Sequence, residues 1–432
     1  MNIILLLLAG TAFLFAAARQ IMWVPVQGQN APMEELSKAM IESAGGAVEL
    51  AIGLVGVMTL FLGLMKVAEA GGMLKILARL IRPLMVRLFP DVPPNHPAMG
   101  AMILNMSANV MGLGNAATPF GIRAMQELNK LNPRPGSATN SMALFLAINT
   151  SSVTLLPTGV IALRAAAGST DPAAILPTTL FATIGSTTIA IIAAKLYSRW
   201  VPVKPLSEKV SPVQTDDGAQ EIDSASNEDD GRTYPLWVSV AALSALMALV
   251  PVTIFFGRSI SPWIIPGLMI LFLVFGFLRK VPVYEVMVEG GKDGFQVALR
   301  IIPYLVVILV AVGMLRGSGA MDLIVGLLGQ VTAKVGLPGE ALPMALMRPL
   351  SGSGSYGILA AIINDPVIGP DSYTGYLVST LQGSTETTFY VLAVYYGAVQ
   401  VRRIRHTMAA ALTADLFGIV FAVLACLYFF GR

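Results

Sequence analysis

Long apolar runs separated by short polar stretches dominate this chain. The runs predict membrane-crossing helices near residues 3–18, 48–66, 175–198, 235–256, 261–279, 300–316 and 407–429. Their length, and their content of Gly, Ala, Leu and Met, favours helices over the strands of a barrel. The first run is also compatible with a signal peptide, although no positive charge precedes it. The pattern predicts an all-α polytopic membrane protein.

Composition narrows the possible functions. Of the 432 residues, 55% are hydrophobic and 12% are charged, whereas soluble domains carry about 25% charged residues. The net charge of +3 and the lack of a Walker-type glycine loop argue against nucleic-acid binding and ATP-driven transport by this chain alone. Cys426 is the single cysteine, so no disulfide framework is possible. Neither His96 nor His406 has a partner at zinc-ligand spacing, and we expect no metal site and no cofactor.

The chain divides into two similar halves around an acidic segment. Residues 201–233 are rich in Asp, Glu, Ser and Gln and predict a disordered cytoplasmic linker. "GLMKVAEAGGML" (63–74) resembles "GMLRGSGAMDLI" (313–324), and "NTSSVT" (149–154) aligns with "QGSTET" (382–387) without gaps. We therefore predict a first repeat over 1–200 and a second repeat over 234–432, with one extra span at 235–256 between the matched elements.

Positive charge distinguishes the two halves. The first half is basic after its Gly-x-x-Lys motif, and the second half is basic before its last span. These basic residues are Lys75, Arg79, Arg82 and Arg87 in the first half, and Arg402, Arg403 and Arg405 in the second. Basic residues mark the cytoplasmic side, so equivalent segments face opposite sides of the membrane, as in inverted-topology repeats. We expect a multi-pass protein of the bacterial inner membrane, with the N-terminus and linker inside and the C-terminus outside.

Polar breaks interrupt both halves at matching places. "NMSANVMGLGNAATPFG" (105–121) and "RPLSGSGSYG" (348–357) combine helix-breaking Gly and Pro with small polar residues. Irregular backbone at membrane depth is tolerated only inside the protein or along a watery cavity. We interpret 149–154 and 382–387 as tips of re-entrant hairpins that meet near the midplane and bind a solute. Ordinary extramembrane turns with helix caps are the alternative. The candidate binding residues here are Asn149, Thr150, Ser151, Ser152, Gln382, Ser384, Thr385, Glu386 and Thr387.

Two acidic residues lie inside apolar surroundings in the second half. Glu386 is aligned with Val153, and an ionised group at mid-membrane costs roughly 3 kcal/mol or more, so it usually has a partner or a task. Glu386 is a candidate for binding a cation, relaying a proton or bonding the solute; a structural pair with Arg348 is the alternative. Asp415, in the last span, is the second candidate for ion coupling.

The polar motifs resemble those of a known family. "NMSANVMGLGNAATPFGIRAM" resembles spore maturation protein A, and "RPLSGSGSYGIL" together with "PDSYTGYLVSTLQGSTETTFYVLAVYYGAV" resembles spore maturation protein B. The chain looks like a fusion of the two, which belong to the nucleoside-recognition or gate family. The hairpin chemistry is also similar to that of concentrative nucleoside transporters.

The resemblance implies a transporter-like fold with re-entrant hairpins and broken helices, and it adds site residues. Asn105, Ser107 and Asn109 would line the first-half break with Asn115 and Thr118 on its far side, and Ser351, Ser353 and Ser355 would line the second. Gly383 and Ser384 intervene between Gln382 and Thr385, which departs from the family's amide-Thr-Glu sequence. Nucleoside specificity therefore does not transfer.

These observations predict a secondary transporter. We expect it to move a small polar or anionic organic solute, nucleoside-like or a carboxylate, by alternating access coupled to a proton or sodium gradient. The alternative is a non-transporting scaffold or accessory protein of the cell envelope. An intramembrane enzyme is disfavoured, because neither histidine lies in an apolar span where it could activate a serine. The expected partners are the solute, the coupling ion and membrane lipid, with a homo-oligomer left open and no nucleic acid.

Overall fold

The structure is a computed structural model that describes residues 2–25, 30–112, 114–201 and 265–431, with isolated positions between 234 and 263. Within these ranges the chain is helical, and its β-pairing is limited to one isolated bridge between Ser137 and Arg403. The all-α prediction is confirmed. The predicted linker, from residue 202, and most of the extra span at 235–256 lie outside the described residues. The domain boundaries therefore stay a prediction.

The first half contains eight helices in the described ranges. They are α1 (Asn2–Ile21), α2 (Pro32–Ala70), α3 (Met73–Leu88), α4 (Pro97–Val110), α5 (Gly114–Lys130), α6 (Asn140–Thr150), α7 (Thr158–Ala166) and α8 (Leu176–Trp200). Their starts follow ordinary capping rules. The side chain of Glu34 accepts a hydrogen bond from the Ala31 amide at the start of α2, and Thr139 caps α6 through the amide of Met142.

The second half repeats this order of elements. Its helices are α9 (Ile265–Leu278), α10 (Val283–Ser318), α11 (Ala320–Thr332), α12 (Leu342–Met347), α13 (Gly352–Ile363), α14 (Tyr373–Ser384), α15 (Thr388–Gly397) and α16 (Thr407–Phe430). The two longest helices, α2 with 39 residues and α10 with 36, pack along each other. Helices α6, α8, α14 and α16 pack together in a second group. The site lies between these two groups.

Two helices of the described chain are long and apolar enough to cross a membrane by length and composition. They are Pro172–Trp200 and Thr407–Phe430, which coincide with the spans predicted at 175–198 and 407–429. The two helices pack against each other, yet Ile192, Leu416 and Leu424 leave large apolar surfaces exposed. Such surfaces suit contact with lipid tails. Shorter apolar helices, Leu5–Ile21, Ile265–Leu278 and Leu309–Ser318, coincide with three other predicted spans.

Loops at the helix ends join the halves reciprocally. In the last turn of α7, the buried guanidinium of Arg164 lies 2.9 Å from the carboxylate of Asp371, in the loop between α13 and α14. After α15, Arg405 donates to the carbonyl of Ala138 and to Asn140 Oδ1, both at 3.0 Å, around the loop between α5 and α6. We call these contacts the Arg164 clamp and the Arg405 clamp. Each clamp uses corresponding loops with the halves exchanged, as expected for two similar repeats packed face to face.

The two clamps differ in their electrostatics. Partial burial alone would raise the pKa of Asp371, but hydrogen bonds from Ser169 and Thr170 and the charge of Arg164 outweigh burial and hold that pKa below its ordinary value. The acceptors of Arg405 are neutral carbonyl and amide oxygens. Only the Arg164 clamp therefore combines a cation with an anion.

Candidate functional site

Four helix breaks meet in the middle of the molecule. They follow α4, α6, α12 and α14, at residues 111–112, 151–157, 348–351 and 385–387. The amide of Leu155 donates to the carbonyl of Val110 at 2.9 Å in the first half, and the amide of Phe389 donates to Pro349 at 3.1 Å in the second. Each half thus uses the same kind of backbone bond to join its two breaks.

A third backbone bond joins the halves themselves. The amide of Glu386 donates to the carbonyl of Thr150 at 2.9 Å, which links the two segments aligned in the sequence, 149–154 and 382–387. The backbone at Gly112 also approaches the segment after α6. An added Cβ there would lie 2.4 Å from the carbonyl oxygen of Leu156, and its φ of +78° favours glycine. The predicted meeting of the two polar segments is present; they occupy breaks between consecutive helices.

A single arginine organises the second-half breaks. Arg348 follows α12, and its side chain is nearly fully buried. Its Nε donates to the carbonyl of Gln382 at 3.2 Å, one terminal nitrogen donates to Thr387 Oγ1 at 3.1 Å, and the other donates to the carbonyl of Thr385. These carbonyls lie at the C-terminal end of α14, where backbone acceptors lack helical partners. The guanidinium therefore acts as the C-terminal cap of α14.

A cavity of ≈ 840 Å³, lined by both polar and apolar side chains, lies beside the breaks and is bounded on its other side by α2 and α10. Five of the predicted site residues line it. They are Asn109, Thr118, Gln382, Glu386 and Thr387. Glu386 lies 3.6 Å from Arg348, and its side chain is 48% exposed. The carboxylate is thus accessible from the cavity while it remains near a cation.

The other predicted hydroxyl and amide groups serve mainly the protein itself. Five of them bond to backbone carbonyls of their own helix: Ser107 to Ile103, Asn149 to Phe145, Thr150 and Ser151 to Ala147, and Ser384 to Leu381. Ser351 caps α13 and Ser355 bonds Gly352, while Asn105 bonds Ala117. Ser353 is half-buried, Ser152 and Thr385 are buried, and the side chain of Asn115 lies outside the described residues. These residues stabilise the breaks, whereas among the described predicted residues only the five named above line the cavity.

Asp415 lies behind the break of α14. It is buried in α16, and its Oδ2 accepts a hydrogen bond from Thr388 Oγ1 at 2.7 Å. Its Oδ1 has no partner in the described part of the chain. A half-satisfied carboxylate at this depth is costly, which makes it a candidate for proton or cation exchange.

Sequence reasoning missed the wall on the far side of the cavity. Lys66 and Glu69 of α2, and Asp293 and Gln296 of α10, line the cavity opposite the breaks. No helix break marks these positions, since α10 continues through Gly290, Gly291 and Gly294 beside Asp293 and α2 is also uninterrupted. Their spacing of three residues inside long apolar helices places each pair on one face and is the signal that could have revealed them.

Helix N-termini add partial positive charge to the same cavity. Residues at the starts of α7, α13 and α15, namely Thr158, Gly352 and Thr387, contribute to its lining. The N-caps of α7 and α15 make no side-chain cap hydrogen bond, and the amides of Thr158 and Phe389 in their first turns donate to the backbone carbonyls of Leu156 and Pro349. Amides, carboxylates and hydroxyls thus converge on one space large enough for a small organic molecule.

The fold and site define a class: a helical membrane protein with paired helix breaks beside a cavity that contains polar and charged groups. A model of the nucleoside recognition family, Gate, matches residues 51–168 and 298–402, more than half of the chain. The chain therefore belongs to this family, as its motifs predict.

Two curated relatives from Bacillus subtilis (strain 168) are each similar to 39% of this chain. Spore maturation protein B is 45% identical over 170 residues, covering 39% of this chain and 92% of the relative. Spore maturation protein A is 45% identical over 168 residues, covering 39% of this chain and 86% of the relative. This is consistent with the predicted fusion. The structure of a CNTnw variant in the intermediate 1 state aligns with 98% of this chain and 91% of its own, at 14% identity and a TM-score of 0.34, which is too low to add to the fold assignment.

Proposed function

We propose that the protein is a secondary transporter that moves a small polar organic solute across the bacterial inner membrane by alternating access. The observation that carries this proposal is the cavity of ≈ 840 Å³ between the α2–α10 pair and four helix breaks that are joined by backbone hydrogen bonds. Broken helices at matching places in two repeats are a recurrent way to build a solute site at membrane depth. The family's description as nucleoside recognition supports a nucleoside-like solute. The amide, hydroxyl and charged groups of the lining suit a polar solute about as large as a nucleoside or a small organic carboxylate.

Two carboxylates are proposed to couple transport to a proton or sodium gradient. Glu386 faces the cavity and Asp415 lies behind the break, bonded to Thr388. Thr388 begins α15, directly after the break that contains Glu386. A cation or proton bound at either carboxylate would therefore change the charge next to the break. In this proposal the protein acts without covalent chemistry on the solute.

A scaffold or accessory role in the cell envelope is the second candidate. The observation that favours it is the amphipathic helix α3, where Lys75 and Arg87 are exposed. Arg82 of the same helix is buried and donates to the carbonyl of Pro94 at 2.8 Å, so it stabilises the fold and is not available to a partner. The relatives' names refer to spore maturation and not to a solute. This candidate predicts tolerance of changes at 382–388 and sensitivity at Lys75 and Arg87.

The deciding experiment is uptake by proteoliposomes under imposed proton and sodium gradients. The panel should contain nucleosides, small carboxylates and amino compounds, with Glu386→Gln as the test variant. Glu42→Gln is the matched control, because Glu42 lies on α2 in an exposed pair with Lys38. Gradient-dependent uptake that is lost in Glu386→Gln and kept in Glu42→Gln supports the proposal. A lack of uptake of every compound under both gradients contradicts it and favours the scaffold.

A further inference from the structure

The cationic groups of the cavity are already engaged by the protein. Lys66 Nζ lies 3.6 Å from Glu69 one turn further along α2. Arg348 donates to two backbone carbonyls and one hydroxyl of the α14–α15 break, and its charge faces the C-terminal end of α14. A solute carboxylate would compete with Glu69 for Lys66, and it would have to displace the hydrogen bonds of Arg348 to use that guanidinium. The exchange would uncover buried carbonyl groups, which is unfavourable.

Two acceptor groups of the cavity have fewer hydrogen-bond partners in the described part of the chain than Arg348 has. Gln382 is 3% exposed and lines the cavity; its amide interacts with the hydroxyl of Tyr356, but its Oε1 has no partner in the described part of the chain. The Glu386 carboxylate is 48% exposed and separated from Arg348 by 3.6 Å. These oxygens can each accept a hydrogen bond from a solute.

The charges that line the cavity also favour a cationic or neutral solute over an anion. Its described lining contains two basic side chains, Lys66 and Arg348, and three acidic ones, Glu69, Asp293 and Glu386. Three helix N-termini add partial positive charge, but the side chains that line the cavity carry one more negative than positive charge, which disfavours an anion relative to a cation or a neutral donor. The aromatic rings of Phe61, Tyr356 and Tyr390 also line the cavity and suit the apolar part of a cationic compound.

We propose that the cavity selects solutes by their hydrogen-bond donors: neutral or singly positive organic molecules with amino or hydroxyl groups, bound by Gln382 Oε1 and the Glu386 carboxylate. Arg348 is a positioning residue that holds the break carrying both acceptors, and it does not contact the solute. The inference rests on the proposed function and chooses between its solute classes. Compounds recognised chiefly through a carboxylate are excluded.

The test uses matched compounds that differ only in charge. Full-length protein in detergent is titrated with tryptamine, tryptophol and indole-3-acetate, and with benzylamine, benzyl alcohol and benzoate, while thermal unfolding is followed. Ligands that bind the folded state raise the midpoint. We expect stabilisation by the amines and alcohols, with the amine of each set binding at least about tenfold more tightly than the carboxylate.

Three variants distinguish recognition from positioning. Glu386→Gln should weaken amine binding at least about tenfold and alcohol binding by much less, because only the amine loses a charge partner. Arg348→Lys should weaken amines and alcohols by the same factor, since the break moves while the acceptors keep their chemistry. Glu42→Gln should leave all affinities unchanged. If Arg348 were instead the anion ligand, Glu386→Gln would create strong binding of indole-3-acetate by releasing the guanidinium.

The outcomes separate this inference from the proposed function. Equal or stronger stabilisation by the carboxylates overturns the proposed selection of solutes by their hydrogen-bond donors, and it leaves the transporter proposal standing. Strong carboxylate binding by Glu386→Gln overturns the role given to Arg348. Stabilisation by no compound of any charge, together with no uptake in proteoliposomes, overturns both.

Discussion

The breaks after α6 and after α14 solve one backbone problem with different chemistry. Where a helix stops inside the protein, its last carbonyl groups need donors. After α6 the side-chain donors are hydroxyls: Ser186 and Thr187 of α8 both donate to the carbonyl of Ser151, beside the amide of Glu386 that donates to Thr150. After α14 the donor is the guanidinium of Arg348. The difference teaches that hydroxyls can satisfy the last carbonyl groups of a helix without adding charge. An arginine in that place adds a positive charge, and its acidic neighbour, Glu386, lies at the cavity.

The largest effect is expected from the charge that distinguishes the two breaks. Glu386→Gln should lower transport by about 10- to 100-fold, because a charge-assisted hydrogen bond contributes about 1.5–3 kcal/mol. Val153 is aligned with Glu386 in the first half, and Val153→Thr adds a neutral hydroxyl there. Proteoliposome uptake should be nearly unchanged in Val153→Thr. Equal losses in both variants would show that the two breaks do not differ in function.

The caps themselves should differ in their contribution to stability. Arg348→Met removes the donors of two buried carbonyls and should lower the free energy of unfolding by about 3 kcal/mol. Thr187→Val removes one neutral donor from Ser151 and should cost about 1 kcal/mol. Denaturant titration in detergent measures both. A cost of Thr187→Val as large as that of Arg348→Met would contradict the comparison.

Backbone approach should matter more at the break after α4, at Gly112, than at the break before α13, at Gly352. Gly112→Ala combines a positive φ with a clash against the Leu156 carbonyl and should cost about 2–3 kcal/mol. Gly168→Ala is the matched control, since its φ is +77° but no atom lies within 4 Å of the added Cβ; it should cost about 1 kcal/mol. At Gly352 the added Cβ would meet a side chain, Thr387 Oγ1 at 2.7 Å. Gly352→Ala should therefore cost less than Gly112→Ala in the same titration.

The smallest effect concerns the clamps, and it depends on pH. Asp371→Asn should cost about 1.5 kcal/mol near neutral pH, since the carboxylate is partly exposed. The folded-state pKa of Asp371 is depressed, so its stabilisation is full above the unfolded pKa and is lost as pH falls through the folded pKa. The thermal midpoints of wild type and Asp371→Asn should therefore converge in acid. Arg405→Lys, whose acceptors are neutral, should show no such convergence.

Single residues show which features of the fold and site could be predicted from the sequence. Gly112 and Arg348 lie where Gly and Pro interrupt apolar runs, so the positions of the breaks were predictable from helix chemistry. The meeting of 149–154 with 382–387 followed from their alignment. The inward bonds of Thr150 and Ser151 did not, because a hydroxyl near a helix end can donate to its own backbone or face a cavity, and neighbouring helices decide. The spacing of Lys66 with Glu69 places both on one face of α2, but the meeting of this face with Asp293 across the cavity depends on how α2 and α10 pack, which local pattern does not encode.

The hydrogen bond from Glu386 to Thr150 has a consequence for the cell that makes this protein. The bond, like the two clamps, joins an atom of one repeat to an atom of the other, and the cavity is lined by both. Either repeat made in excess would leave unpaired polar backbone and an open apolar face within the membrane. Encoding both repeats in one polypeptide fixes their ratio at one to one during synthesis. Gene dosage and translation rate then cannot unbalance the two halves.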